Sequence, residues 1–208
     1  MNDAKLIFGV IGGSLLLLIV VALGMSRMTG DQVGGEVKEI SGEKRLVMGV
    51  EDARVEVVEF SDFQCPACRA AQGLVKQVQN REGVRFVFRH MPLSSIHKNA
   101  LIAAEAAEAA HDQGKFWEYH DLLLQRQDSF VLSPWVDVAD ELGLDTDVFS
   151  SCVENSETEE LVVQGYFAAK TLELEEAPTY YINGQKFSGA QTYEELKQHI
   201  DEAFQEME

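Results

Sequence analysis

The chain has 208 residues, 46% of them hydrophobic, and a net charge of -18. That length suits one domain, or one domain with an appendage, and the apolar content can build a core without disulfide staples, so the three cysteines are not a scaffold. The acidity excludes a nucleic-acid or anionic-lipid surface on the body of the chain, and its plainest meaning is a solvated acidic face.

From Leu6 to Met25 the sequence runs for 20 residues without a charged side chain. As a helix rising about 1.5 Å per residue, that run matches a bilayer core of about 30 Å. A cleaved signal peptide ending at Ala22-Leu23-Gly24 is the competing reading. The run exceeds the roughly 7 to 15 residues of a signal core, which favours a single-pass anchor with the body on the extracytoplasmic side. Gly30, Gly34, Gly35 and Gly42, mixed with charges, mark residues 26–44 as a flexible tether. The expected organisation is therefore an anchor over 1–25, a tether over 26–44 and a folded domain over 45–208.

In the folded part, Arg45 to Gly49 reads as an edge strand and Val55 to Phe60 as a buried strand by its β-branched content. Glu59 is out of place in that run. Alternation leaves open whether it faces outward; if buried, its pKa would rise and it would accept a proton from a nearby thiol. The strand passes into Cys65-Pro66-Ala67-Cys68, which opens a helix over Pro66 to Asn80. Pro66 suits the first helical position, so Cys65 sits at the helix N-terminus, where unpaired N–H groups favour a thiolate. Disulfide exchange needs one exposed attacking thiol and a second within reach to resolve the mixed disulfide. The spacing assigns these roles to Cys65 and Cys68, with Cys68 shielded one turn inside. A zinc site would need two more ligands at paired spacing. Cys152 stands alone and His90, His97, His111, His120 and His199 form no such pair, so neither metal nor cofactor is expected.

Val84 to Arg89 alternates as a second strand, and a crossover between parallel strands is the economical reading. Helical patterns follow over Asn99 to Gln113, Lys115 to Arg126, Ser133-Pro134 to Gly143 and Ser156 to Glu173, with Asp147 capping a short turn toward Cys152. The histidines of this region read as surface or satisfied core residues, and Cys152 as a small buried hydrophobe. Thr179 to Ile182 and Gln185 to Phe187 form a hairpin around Asn183-Gly184. Thr192 and Glu195 make a capping box for a last helix, Tyr193 to Gln205. Pro178, before the hairpin, reads from sequence as an ordinary strand-entry proline.

Glu59 to Cys68, Arg89-His90-Met91-Pro92-Leu93, Gln113 to Trp117 and Ala177 to Gly184, in that order, resemble the DsbA-like branch of the thioredoxin superfamily. The resemblance runs from about Leu46 to the C-terminus. It implies an α/β thioredoxin fold with a helical insertion over about 95–173, and thiol-disulfide exchange with exported proteins. It makes Cys65 the attacking thiol, Cys68 its buried partner, Glu59 a buried acid and Pro178 a cis proline facing the disulfide. Ala177 would pair its backbone with substrate as an added strand. Two departures stand out: the dipeptide Pro66-Ala67 lacks the histidine of the strongest oxidants, and Ala177 stands where threonine or valine is commoner. Glu175 and Glu176, just upstream, would oppose a thiolate if they face it.

The leading expectation is a membrane-tethered oxidase passing a Cys65-Cys68 disulfide to exported proteins and reset by a membrane redox partner. A reductase or isomerase of the same fold and a non-enzymatic peptide-binding module are the alternatives. An isomerase would often carry an N-terminal dimerisation domain, for which residues 26–44 are too short.

Overall fold

A computed structural model describes residues 40, 42, 45–132 and 134–207. The expected anchor, and the tether apart from Ile40 and Gly42, lie outside the described residues, as does Ser133. Among the described residues no helix is long and apolar enough to cross a membrane.

The elements run β1 (Val47–Gly49), β2 (Val55–Ser61), α1 (Pro66–Gln79), β3 (Val84–His90), α2 (Ala100–Asp112), α3 (Phe116–Gln125), a 3-10 turn (Gln127–Leu132), α4 (Trp135–Glu141), α5 (Thr146–Glu154), α6 (Glu159–Thr171), β4 (Thr179–Ile182), β5 (Gln185–Ser188) and α7 (Tyr193–Gln205). The strands make a five-stranded sheet in the order β1-β3-β2-β4-β5. β2 and β3 are parallel across α1, and the other pairings are antiparallel. The central β2 is therefore paired on both edges and covered on both faces.

Two cores follow from the alternation along these strands. Val55, Val57, Phe86, Tyr180 and Ile182 pack with Leu74 and Val75 of α1, Leu196 and Ile200 of α7, and the insertion helices. Val58, Phe60, Val87 and Tyr181 point the other way, onto Ala168 and Ala169 of α6 and onto Ile40. Gly165 lets α6 approach β3 closely: a Cβ there would stand 2.5 Å from the His90 carbonyl oxygen. The β4-β5 turn places both Asn183 and Gly184 at positive φ, the type I′ geometry that Asn-Gly favours. Thr192 and Glu195 complete the expected capping box on α7.

The insertion departs from the sequence expectation in three places. Asp145, not Asp147, caps α5: its carboxylate accepts from the amides of Asp147 and Val148, which puts Asp147 inside the first turn and Cys152 within the helix. The long helix expected from Ser156 begins at Glu159, because Ser156 takes positive φ and turns the chain between α5 and α6. Glu173, also at positive φ, lies beyond its end at Thr171. The turn over Gln127–Leu132 has no periodic apolar signature and was not anticipated; it proves to brace the cysteine loop.

Candidate active site

Cys65 ends the loop after β2 and occupies the N-cap of α1, in an extended conformation, with Pro66 as the first helical residue. No side-chain oxygen caps this helix. Pro66 has no N–H to offer, so the first free amides belong to Ala67 and Cys68, where an N-cap side chain accepts its hydrogen bonds. The Cys65 sulfur fills that place. A hydrogen bond from the Cys68 thiol does most to lower the Cys65 pKa; burial opposes it, the amides of Cys68 and Ala67 add to it, and the charge of Asp62 works against it. The outcome is a pKa lowered to about 6. The missing histidine in the dipeptide is thus offset by Cys68 and two backbone donors.

Cys68 is the opposite case. Burial first, then its bond to Cys65 and the charge of Glu59, push its thiol well above the ordinary value. Cys65 is 8% exposed and Cys68 1%, so Cys65 is the accessible sulfur, though less open than the sequence suggested. Its thiol donates to the Ala177 carbonyl at 3.2 Å. The Ala177-Pro178 bond is cis, as the resemblance implies and as Pro178 in isolation does not reveal.

Glu59 is 2% exposed, on the α1 side of β2. Burial raises its pKa to about 7, against a hydrogen bond from Ser61, and its Oε2 has no partner. The orientation that alternation left open is settled inward. Cys152, on α5, is buried, and burial raises its thiol pKa. Among the described residues no group of three or more His, Cys, Asp or Glu side chains converges as a metal would need.

The loop that aims Cys65 is held by residues that sequence reasoning did not place there. Asp62 is buried; its Oδ1 accepts from the Gln64 amide at 2.7 Å, and its Oδ2 from the Leu93 amide at 2.8 Å. The His97 ring nitrogen Nδ1 lies 2.8 Å from the same Oδ2. Gln64 accepts from the Asn99 amide, and the Gln127 side chain donates to the carbonyls of Phe63 and Cys65 at 2.7 and 2.9 Å. Phe63, 1% exposed, packs in tilted and edge-on contacts with Phe88, His90 and His120 and pins the loop to the core. Only the Asp62-Gln64 contact, a side chain bonding the backbone two residues on, carried a readable signal. Glu175 and Glu176 are exposed, and Asp62 is the acid whose charge opposes the Cys65 thiolate.

A family model described as Thioredoxin matches residues 41–202. Among solved structures, the thiol-disulfide exchange protein alpha-DsbA2 from Wolbachia pipientis superposes with TM-score 0.74 at 23% identity, covering 86% of this chain and 97% of that one. A thioredoxin-like oxidoreductase from Silicibacter pomeroyi gives 0.69 at 28% identity, covering 81% and 97%. Oxidised BdbD from Bacillus subtilis gives 0.68 at 21%, covering 81% and 95%. In sequence, the chain is 38% identical over 166 residues to a protein named Na(+)/H(+) antiporter NhaA 3 from Salinispora tropica, covering 79% of this chain and 26% of the relative. It therefore spans about a quarter of the length of such relatives. The chain belongs to the thioredoxin family. Within it, the chain carries the Cys65-Pro66-Ala67-Cys68 motif at the start of α1 and shares the fold of the three solved structures above.

Proposed function

We propose that this chain oxidises cysteine pairs in exported proteins through a Cys65-Cys68 disulfide, with residues 6–25 anchoring the domain on the extracytoplasmic side of a membrane. The observation that carries the reading is the asymmetry of the two sulfurs: one thiol lowered to about 6 at a helix N-terminus, the other raised and sealed. A stabilised thiolate is a good leaving group and favours the reduced form of the protein, which makes its disulfide an oxidant.

In the reaction, a client thiolate attacks the Cys65 sulfur. The Cys65-Cys68 bond breaks, and Cys68 leaves as a thiolate that takes up a proton; Glu59 is the acid placed to give it. A second client thiolate then attacks the client sulfur of the mixed disulfide. The client-Cys65 bond breaks and Cys65 leaves as a thiolate, about nine-tenths of which stays unprotonated at pH 7 for a pKa of about 6. The client loses two electrons and the chain gains them. A disulfide-bearing membrane protein would take them up and reset the site. Ala177, beside cis-Pro178, offers its backbone for strand pairing with the client.

The test equilibrates the full-length protein with glutathione redox buffers and traps the thiols. An oxidase gives a dithiol that stays reduced where glutathione is half oxidised. A Cys65-Cys68 disulfide that persists under reducing buffer would instead mark a reductase. Trapping Cys68→Ala in cells tests the rest: mixed disulfides with exported proteins are expected, and their absence would favour a binding module.

A further inference from the structure

Beneath Cys68, two buried polar atoms on neighbouring strands have no hydrogen-bond partner: Glu59 Oε2 on β2 and the Tyr180 hydroxyl on β4. Such orphans are rare in folded proteins, because a buried polar group left unpaired has given up water and gained nothing in return. These two are complementary. Glu59 and Tyr180 are directly paired in register, so their side chains rise from the same face of the sheet, the face against α1. Tyr180 is 0% exposed and Glu59 2%. The other neighbours of Glu59 bring no competing charge: β3 sets Phe88 beside it, α7 turns Leu196 and Ile200 to the sheet, and its own strand gives the Ser61 hydroxyl. Cys68 of α1 and Tyr180 are the titratable groups that interact with it.

We propose that Tyr180 is a positioning residue for the buried acid: its hydroxyl donates to Glu59 Oε2 when Glu59 is a carboxylate, and so keeps a base available for Cys68. The proposal rests on the exchange chemistry above and adds a residue to it. When a mixed disulfide on Cys65 is resolved, the Cys68 thiol passes its proton to Glu59 and the Cys68 thiolate attacks the Cys65 sulfur. The Cys65-Cys68 bond forms and the other thiolate departs. Glu59 must be ionised to take that proton, and an ionised carboxylate needs donors that an apolar chamber lacks. Ser61 supplies one. Tyr180 is suited to supply the second, since burial first, and then the charges of Glu59 and Cys68, hold its phenol well above the ordinary value and keep it a donor. A phenylalanine would fill the same space without the hydroxyl.

The test follows the full-length reduced protein, carrying Cys152→Ala, as it reacts with the aromatic disulfide of thionitrobenzoate. Cys65 releases the first thionitrobenzoate, and resolution by Cys68 releases the second. In Tyr180→Phe the first phase should be unchanged, while the pH midpoint of the second moves up from near 7 by half a unit to a full unit, slowing it roughly two- to fivefold at pH 7. In a Glu59→Gln background, Tyr180→Phe should have no further effect on the second phase. An unmoved midpoint, an equal effect on both phases, or an equal effect with and without Glu59 would each overturn the role of Tyr180. Absence of any second phase in the parent protein would instead remove Cys68 as the resolving thiol, and the exchange mechanism with it.

Discussion

The two cysteines stand one helical turn apart, yet their surroundings differ in kind. Around Cys65 polar demand is met: amides of α1 face the sulfur, the Ala177 carbonyl accepts a hydrogen bond from its thiol, and Asp62, Gln64 and Gln127 tie down the loop with bonds of 2.7 to 2.9 Å. Around Cys68 demand exceeds supply, with Glu59 and Tyr180 each leaving a buried oxygen unpaired. A site with fixed donors holds a charge at small cost. One short of donors holds a proton instead, and gives it up only when the charge it leaves is needed. The fold thus sets one sulfur among fixed donors and the other beside a buried acid.

Removing the acid should break this division most sharply. Glu59→Gln leaves Cys68 without a proton acceptor, so resolution of mixed disulfides should slow by about 100-fold, the lower range for loss of general base catalysis. Attack by Cys65 should continue. The same variant should change stability in a pH-dependent way. Glu59 rises from an ordinary 4.5 to about 7 on folding, so between those values the folded chain holds a proton that the unfolded chain has released. Stability therefore falls as pH climbs through that window, by roughly 3 kcal/mol if the whole shift is expressed. Urea midpoints at pH 5 and pH 8 should differ less in Glu59→Gln than in the parent. Equal pH dependence would place the buried acid elsewhere.

Cys68→Ala probes the other side. The Cys68 thiol does most to lower the Cys65 pKa, so its loss should move the midpoint of iodoacetamide labelling upward from about 6. Labelling at pH 7 should slow by up to roughly tenfold, for a rise of one to two units. The amides of Ala67 and Cys68 remain and should keep the midpoint below that of an ordinary thiol. A midpoint left near 6 would mean that the helix amides alone stabilise the thiolate.

How much of this was legible follows from which contacts are local. The cysteine pair, Pro66 at the start of α1, the hairpin at Asn183-Gly184 and the cap at Thr192 all act within a few residues, and each leaves a pattern in the chain. The face taken by Glu59 was not readable, because β2 is buried on both faces and alternation carries no signal in such a strand. His97 meets Asp62 across 35 residues, and Gln127 meets Cys65 across 62. Neither residue stands in a periodic context, so only the folded chain reveals it. Asp145 and Asp147 show a finer limit: two equivalent acids lie two residues apart, and the geometry of the helix entry chooses between them.

The smallest effect should come from Glu175 and Glu176, which stand in sequence just before the site. Both are exposed, and exposed charges act weakly on a neighbour because water and salt screen them. Asp62, by contrast, is buried and does oppose the Cys65 thiolate. Glu175→Gln with Glu176→Gln should lower the Cys65 labelling midpoint by a few tenths of a unit at most, and 0.5 M salt should erase the difference. A larger, salt-resistant shift would show that these acids turn inward when the site is engaged. The acidic approach to cis-Pro178 would then act on the sulfur itself.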